Sequence, residues 1–527
     1  MKFLLPSSIV PLLLSCLDLV GAVRLEIHGR SSRQENDARA VAQRRGSSVE
    51  KRSNIYTDNG IGILTNSDDI SYYTSLTLGG KNFSSVLVDT GHSDLWVGGN
   101  VPGALPSGQY SRIQYAVGSA EGPIEFADLD FLGYNVPKQA FISATGKDDG
   151  SGLIGLGPNR GSNIKQLLKN SSGNAVLDRI FLSNTSTPNY LTVLLGRSDD
   201  PTDLFPGDIT VGELVPGFEN VTQFPKLPVT QVSVRNQADQ HWQILIDKNG
   251  IIGPDGQVIN VTSIVDGGPR LNAVLDTGFS LPQVPRQVSD AIYGRIPGAT
   301  FGDVGRGAGQ TWSIPCDAEV NLTFIIGGVQ YPIHPLDTSL SWNANGTDFC
   351  IGSFQPRTTT DTNYDVILGM AFLRNAYMLV NFGDFVDGKT DQVADPYVQL
   401  LPTTEMVEAH NDFVQVRLKG IDTTAGQTFL DSFTPSGPPD VKKSNGGFSG
   451  WLDKNKTILI AVGASVGGVL LILVAALCFR RRRRANVREK DGRRVWFKGT
   501  PVGGKGGYKP VHHPTPSESY LPSHGKV

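Results

Sequence analysis

The sequence predicts an all-β protein of two lobes related by a pseudo-twofold axis, carried together with one transmembrane helix. Three observations predict it. The stretch Val86-Leu87-Val88-Asp89-Thr90-Gly91 returns 187 residues later as Ala273-Val274-Leu275-Asp276-Thr277-Gly278. Each copy is followed by an apolar pair and a glycine, Leu153-Ile154-Gly155 after the first and Ile367-Leu368-Gly369 after the second. This is an internal repeat, and two similar halves that must each bury an apolar face suggest two lobes. The 61 glycines exceed the roughly 37 expected at an ordinary ~7%. With many Val/Ile/Thr runs and few long amphipathic stretches, that surplus favours turn-rich β structure.

Each repeated stretch reads as a buried strand that ends in an aspartate, with a glycine where another backbone must approach or the chain must turn. A carboxylate leaving an apolar run is costly unless it is partnered. The partner on offer is the second, identical triplet. Two facing carboxylates cannot both ionise easily, and a proton shared between two aspartates is a means of activating water. Leu95-Trp96-Val97 is read as continuing the strand that the first triplet interrupts, and Phe372-Leu373-Arg374 as following the second glycine motif.

From about residue 69 to 400 the chain resembles the pepsin-type aspartic proteases. The resemblance is carried by Asp89-Thr90-Gly91-His92-Ser93-Asp94-Leu95-Trp96-Val97, by Tyr115 with Gly118-Ser119 and Gly122, by Asp276-Thr277-Gly278, and by Ile367-Leu368-Gly369. It implies that Asp89 and Asp276 are the catalytic pair, working without cofactor or metal. Gly91, Gly278, His92, Ser93 and Trp96 would support them, and Thr90 and Thr277 would interlock across the two lobes. It also implies that protein or peptide substrates lie under a flap containing Tyr115, Gly118 and Ser119.

Taken in order, residues 1–22 read as a secretory signal: Lys2, an apolar run with Leu12-Leu13-Leu14, then Val20-Gly21-Ala22 as a small-residue cleavage site. Pro6, Pro11 and Asp18 argue against a membrane anchor there. Residues 23–52 are charged and poor in large apolar side chains, so they build no core of their own. They end at Lys51-Arg52, which resembles a site for a kexin-like processing enzyme, and they read as a propeptide. Its basic residues could cover an acidic cleft before removal.

The first lobe is expected over 53–230 and the second over 231–420. Ser71–Leu78 alternates as a strand, with Gly79-Gly80-Lys81-Asn82 as the turn after it. Ile113 to Gly122 reads as a β-hairpin tipped with glycine and serine, the flap of the resemblance. Cys16 falls in the signal and Cys478 in the membrane segment. Cys316 and Cys350 remain, and in an oxidising lumen they should form one disulfide, as the resemblance also implies. Sequons stand at Asn82, Asn170, Asn184, Asn220, Asn260, Asn321, Asn345 and Asn455, and none follows Asn455, a placement that agrees with an exported ectodomain.

Beyond about Gly420 the pattern weakens, and Ser432 to Lys456 is rich in Ser, Pro, Gly and Lys, so 421–456 reads as a flexible stalk. Residues 457–479 give 23 positions without a charge, long enough to span a bilayer. Arg480 to Arg484 follow at once, which puts residues 480–527 in the cytosol. A polar tail of 48 residues argues against a removable lipid-anchor signal. The tail carries 13 Lys/Arg against 3 Asp/Glu, a net of +10; with −3 for the whole chain, residues 1–479 carry −13. Its arginines suit anionic lipid head groups. Nucleic acid is a poor partner for a basic run that abuts a membrane and lacks a binding fold. The remainder of the tail reads as disordered, with Tyr508 and Tyr520 as weak sorting candidates.

Two positions depart from the resembled pattern. The residue after each Asp-Thr-Gly is usually Ser or Thr, whose hydroxyl donates to the carboxylate, and here the places hold His92 and Phe279. Phe279 can donate nothing. His92 could donate or become cationic, or both rings could turn away and pack. The departures keep three functions in view. The favoured one is a membrane-tethered endopeptidase of the secretory pathway, at the cell surface or in a vacuole. The others are a protease-like glycoprotein that binds or senses without turnover, and a structural glycoprotein that uses the fold as a spacer.

Overall fold

The computed structural model describes residues 60–431 apart from 116–117, 148–149, 184, 186–187, 202–204, 304–309, 345–346, 358–361 and 384–392. The expected signal, propeptide, membrane segment and tail, most of the stalk, and the sequons at Asn184, Asn345 and Asn455 lie outside these residues. Among the described residues, no helix is long and apolar enough to cross a membrane.

The two halves repeat one strand arrangement, legible from the pairing alone. In the first half the Lys81–Asp89 strand pairs in parallel with Ser151–Gly155, setting Asp89 opposite Gly155. On the far side of Ser151–Gly155 runs Leu95–Gly98, antiparallel, and beyond it Tyr134–Ala144, parallel to Leu95–Gly98. In the second half Leu271–Leu275 pairs in parallel with Val366–Leu368. Gln283–Val284 lies antiparallel on the far side of that strand, with Gln355–Pro356 parallel beyond it. In each half, therefore, the apolar-apolar-Gly strand is threaded between the strand before the triplet and the strand after it.

This threading corrects one expectation. Leu95-Trp96-Val97 does not continue the strand that ends at Asp89: the chain turns through residues 90–94 and re-enters the sheet as a separate strand. Ser151–Gly155 occupies the space between, because its two edges satisfy the backbones of both neighbours. The turn at Gly79-Gly80 is also shorter than expected. Both glycines have positive φ (58° and 76°), which suits a two-residue hairpin loop. Lys81 and Asn82 already pair with Leu78 and Thr77 in the ladder.

An all-antiparallel six-stranded sheet joins the halves, in the order Ile61–Ile63, Gly207–Val211, Tyr190–Leu195, Ala376–Asn381, Tyr397–Pro402, Leu227–Pro228. Strands from both halves of the chain thus form one sheet. The main hydrophobic core runs through Val86, Val88, Ile154, Ala273, Leu275, Val366 and Leu368, all at most 1% exposed. Burial of both triplet strands explains their unbroken apolar runs.

The Ile113–Gly122 hairpin forms as expected, from Leu105–Gln114 and Ser119–Phe131. Cys316 and Cys350 are bonded, with Cα atoms 5.2 Å apart. The bond ties the segment after Gln310–Ile314 to the Thr347–Gly352 strand. Of the described sequons, Asn82, Asn170, Asn260 and Asn321 are exposed. Asn220 is half-buried, with its side-chain oxygen shut away from solvent.

Candidate active site

Both triplets emerge from buried parallel strands at the junction of the halves. Each aspartate folds back on its own turn. The Gly91 N–H donates to Asp89 Oδ1 at 2.8 Å, and the Gly278 N–H to Asp276 Oδ1 at 2.7 Å. This is the local geometry that Asp favours at the start of a turn. The two carboxyls then meet across the junction. A methyl carbon built on Gly91 would stand 2.2 Å from Asp276 Oδ2, and one on Gly278 would stand 2.7 Å from the Asp89 carboxyl carbon. Each glycine is therefore the surface against which the opposite carboxyl rests, and no larger residue fits.

The threonines fix the approach. The Thr90 N–H donates to Thr277 Oγ1 and the Thr277 N–H to Thr90 Oγ1, both at 3.0 Å. Each hydroxyl then donates onward across the junction, Thr90 Oγ1 to the Leu275 carbonyl at 2.9 Å and Thr277 Oγ1 to the Val88 carbonyl at 2.8 Å. Both side chains are fully buried. Four mutual bonds in a dry place hold the spacing of the two aspartates more firmly than either turn could alone.

The two carboxylates are not equivalent. Asp89 receives three donors: the Gly91 and His92 N–H groups on Oδ1, the latter at 3.1 Å, and His92 Nδ1 on Oδ2 at 2.9 Å. Among the described residues, the backbone N–H that donates to Asp276 is that of Gly278. Phe279 stands where the resembled pattern has a hydroxyl donor, and its backbone carbonyl accepts from the Met370 N–H at 2.8 Å.

Charge follows geometry. Burial alone would raise the Asp89 carboxyl, but His92 and the two backbone donors outweigh it and hold Asp89 below the ordinary carboxylate range. Burial and the Asp89 charge together push Asp276 up to about 7. Burial alone would lower His92, yet the carboxylates of Asp89, Asp276 and Asp94 push it up to about 9. The site thus favours an imidazolium at His92, a carboxylate at Asp89 and the proton on Asp276.

Around this pair stand the other residues singled out from the sequence. The Trp96 Nε1–H donates to the Tyr115 hydroxyl at 2.8 Å. The Tyr115 ring meets His92 edge-on, with centroids 4.6 Å apart, which places the hairpin over the Asp89 side. Gly118 lies in the hairpin tip, where its carbonyl accepts from the Tyr115 N–H and from Gln114 Nε2. Ser119 begins the returning strand. Ser93 Oγ donates to the Pro158 carbonyl at 2.7 Å, so it braces the turn and does not reach the carboxylates.

Sequence reasoning missed three supporting residues. Asp94 accepts from Ser162 Oγ (2.5 Å) and from the Asn163 and Ile164 N–H groups. It thereby pins the turn to the start of the Asn163–Leu168 helix. His241 Nδ1 lies 2.7 Å from the Gly91 carbonyl, and the Trp242 Nε1–H donates to the Leu156 carbonyl at 2.9 Å. Both residues reach from the second half onto the first triplet's surroundings. Their signal in the sequence is an adjacent His-Trp pair ahead of an apolar strand, and it names no partner. Among the described residues, no group of three or more His, Cys, Asp or Glu side chains is arranged to hold a metal ion.

The chain is similar to known proteins. The family model described as eukaryotic aspartyl protease matches residues 104–386. "Major aspartyl peptidase 1" of Cryptococcus neoformans var. grubii is 24% identical over 398 residues, covering 67% of this chain and 76% of that protein. "Cathepsin E" of Mus musculus is 27% identical over 360 residues, covering 61% of this chain and 80% of that protein. The crystal structure of an aspartic proteinase from Irpex lacteus aligns with a TM-score of 0.48 and 19% identity, covering 66% of this chain and 98% of that one.

Proposed function

This chain belongs to the eukaryotic aspartyl protease family and is an aspartic endopeptidase, and from that premise we propose that Asp89 and Asp276 are its catalytic dyad. The observation that carries the reading is the seating of each carboxyl against the other triplet's glycine. Such a pair holds one proton between two buried acids. The ionised carboxylate takes a proton from water as its oxygen bonds to the scissile carbonyl carbon. The protonated carboxyl meanwhile donates to the carbonyl oxygen. Collapse of the tetrahedral gem-diol breaks the C–N bond: the proton taken from water passes to the departing nitrogen, and one gem-diol hydroxyl returns its proton to the other carboxylate, which restores the singly protonated dyad. The two acids titrate and act as a coupled pair, without a covalent intermediate. Tyr115, held by Trp96, closes the site from the flap side and helps exclude water.

The dyad works outside the cytosol, on protein or peptide substrates. Residues 1–22 direct export, 23–52 are removed at Lys51-Arg52 by a kexin-like enzyme, and residues 53–230 and 231–420 form the two lobes. The 421–456 stalk leads to a single membrane span at 457–479, and Arg480 to Arg484 meet anionic lipid on the cytosolic side. The charge step at Arg480 and the sequons confined to residues before the span support this orientation. The protein is then a single-pass glycoprotein of the secretory pathway, at the cell surface or in a vacuole. The binding-only and spacer readings would leave a partnered, desolvated carboxyl pair without a use.

Mass spectrometry of peptides released from a denatured protein by the processed full chain tests the assignment. Peptide release at acid pH that disappears in both Asp89→Asn and Asp276→Asn is the expected result. Unchanged release in either variant would remove that aspartate from the mechanism. Alkaline extraction that frees the chain from membranes would remove the span at 457–479.

A further inference from the structure

Resting on the dyad assignment above, we propose that His92 is a positioning residue that holds Asp89 ionised as the base, while Phe279, by offering no side-chain donor, leaves the shared proton on Asp276 as the acid. The two aspartates of this chain then have fixed and different roles.

Acceptor sites distinguish the two acids. A carboxylate offers about four lone-pair positions, two on each oxygen. On Asp89 the Gly91 and His92 N–H groups occupy Oδ1, and His92 Nδ1 takes one position on Oδ2. The Asp276 carboxyl, hydrogen-bonded to Asp89, is a further partner of this carboxylate and carries the proton the pair shares. His92 contributes both a backbone and a side-chain donor, so the residue after the triplet grips both oxygens of one carboxylate. Phe279, in the matching place, gives Asp276 neither a charge nor a side-chain hydrogen bond. Of two neighbouring acids, the one with more donors and a cation ionises first, and the other keeps the proton.

The surroundings of His92 favour its cationic form. The charged and titratable groups facing it are Asp89 on its own turn, Asp94 before the Leu95–Gly98 strand, Asp276 from the opposite triplet and the Tyr115 ring from the hairpin. Three carboxyl groups and one aromatic ring surround it. The nearby cation Lys147 lies over the Trp96 ring, 4.9 Å from its centroid. His241, from the second half, is turned to the Gly91 carbonyl. The His92 side chain keeps 30% exposure, enough for proton exchange with solvent. The shifts agree in direction: Asp89 falls below the ordinary range while Asp276 rises to about 7. Base and acid are therefore both correctly protonated over a window that reaches close to neutral pH.

Rate–pH profiles of the processed full chain on a quenched fluorescent peptide, with kcat and KM resolved separately, test the proposal. His92→Ser is expected to raise the acid limb of kcat by about one pH unit or more. Phe279→Thr supplies a donor to Asp276 and is expected to lower the basic limb by a comparable amount. An acid limb unmoved by His92→Ser overturns the proposal. A second readout does not need turnover: full chain in detergent carrying 13Cε1-labelled histidine, with the His92 signal assigned by its loss in His92→Ser. The expected signal stays imidazolium past roughly pH 8 and titrates nearer ~6.5 in Asp89→Asn. A His92 that titrates near ~6.5 with and without Asp89 overturns the proposal. Failure of the dyad assignment looks different, since Asp89→Asn or Asp276→Asn would then keep full activity.

Discussion

Thr90 and Thr277 each satisfy a backbone N–H of the other triplet, and this reciprocity sets how near the two aspartates can come. Thr277→Ala removes the acceptor for the Thr90 N–H and the donor to the Val88 carbonyl in a fully buried place. The expected cost is about 1–3 kcal/mol, the penalty of an orphaned buried donor. Thermal unfolding together with kcat checks it, and Thr277→Ser, which keeps the hydroxyl, should recover most of both. Equal loss in the Ser and Ala variants would contradict the account. These residues were legible in the sequence because the triplet occurs twice. Asp94 and His241 were not, since their partners lie 68 to 150 positions away and a single chain does not display such pairings. At His92 the sequence showed the departure from a hydroxyl but left the ring's direction open. That direction depends on Asp89 and Tyr115 being placed by other strands.

At the level of elements, period and punctuation carried most of the information. The strand at Ser71–Leu78 has the expected bounds, since alternation marks it and two glycines close it. The Leu95–Gly98 strand was misjudged because an apolar run after a turn looks the same whether it extends one strand or begins another. Only the insertion of Ser151–Gly155 between the two distinguishes them. The disulfide acts on this same scale. It closes a loop across a sequence separation of 34, which on chain-entropy grounds stabilises by roughly 3.5–4 kcal/mol. Replacing Cys316 and Cys350 together by alanine should lower the unfolding temperature and leave the pH limbs of activity in place. An unchanged unfolding temperature would show that the loop is held by its strands alone.

For the whole molecule, the shared six-stranded sheet and a buried ion cluster join the halves. Arg197 Nε and Arg374 Nε donate to the two oxygens of Asp337, at 2.7 and 2.6 Å. Arg374 Nη1 reaches the Asp69 carbonyl at 3.0 Å. The repeat announced two lobes, but neither the joining sheet nor this cluster was legible, because both assemble residues separated by more than a hundred positions. Burial would raise the Asp337 carboxyl, yet the two guanidinium groups outweigh it and lower it to about 2. Its folded value lies below the unfolded one, so its contribution is present above about pH 4 and is lost as pH falls towards 2. The cluster should therefore remain intact in a mildly acidic lumen. Asp337→Asn removes the carboxylate that two buried guanidinium groups share, leaving Arg197 its longer 3.6 Å pairing with Asp200, and should cost about 3–5 kcal/mol near neutral pH. Urea unfolding of both forms measures it, and a difference below about 1 kcal/mol would assign the cluster no structural weight.

The central claim is that the two aspartates act as a single catalytic unit, and a double-mutant comparison tests it most directly. Turnover of one peptide substrate is measured for Asp89→Asn, Asp276→Asn and the double variant. Residues acting as one unit are not additive, so each single variant should lose about as much turnover as the double. Losses that multiply, or a single variant that keeps most of its activity, would contradict the account.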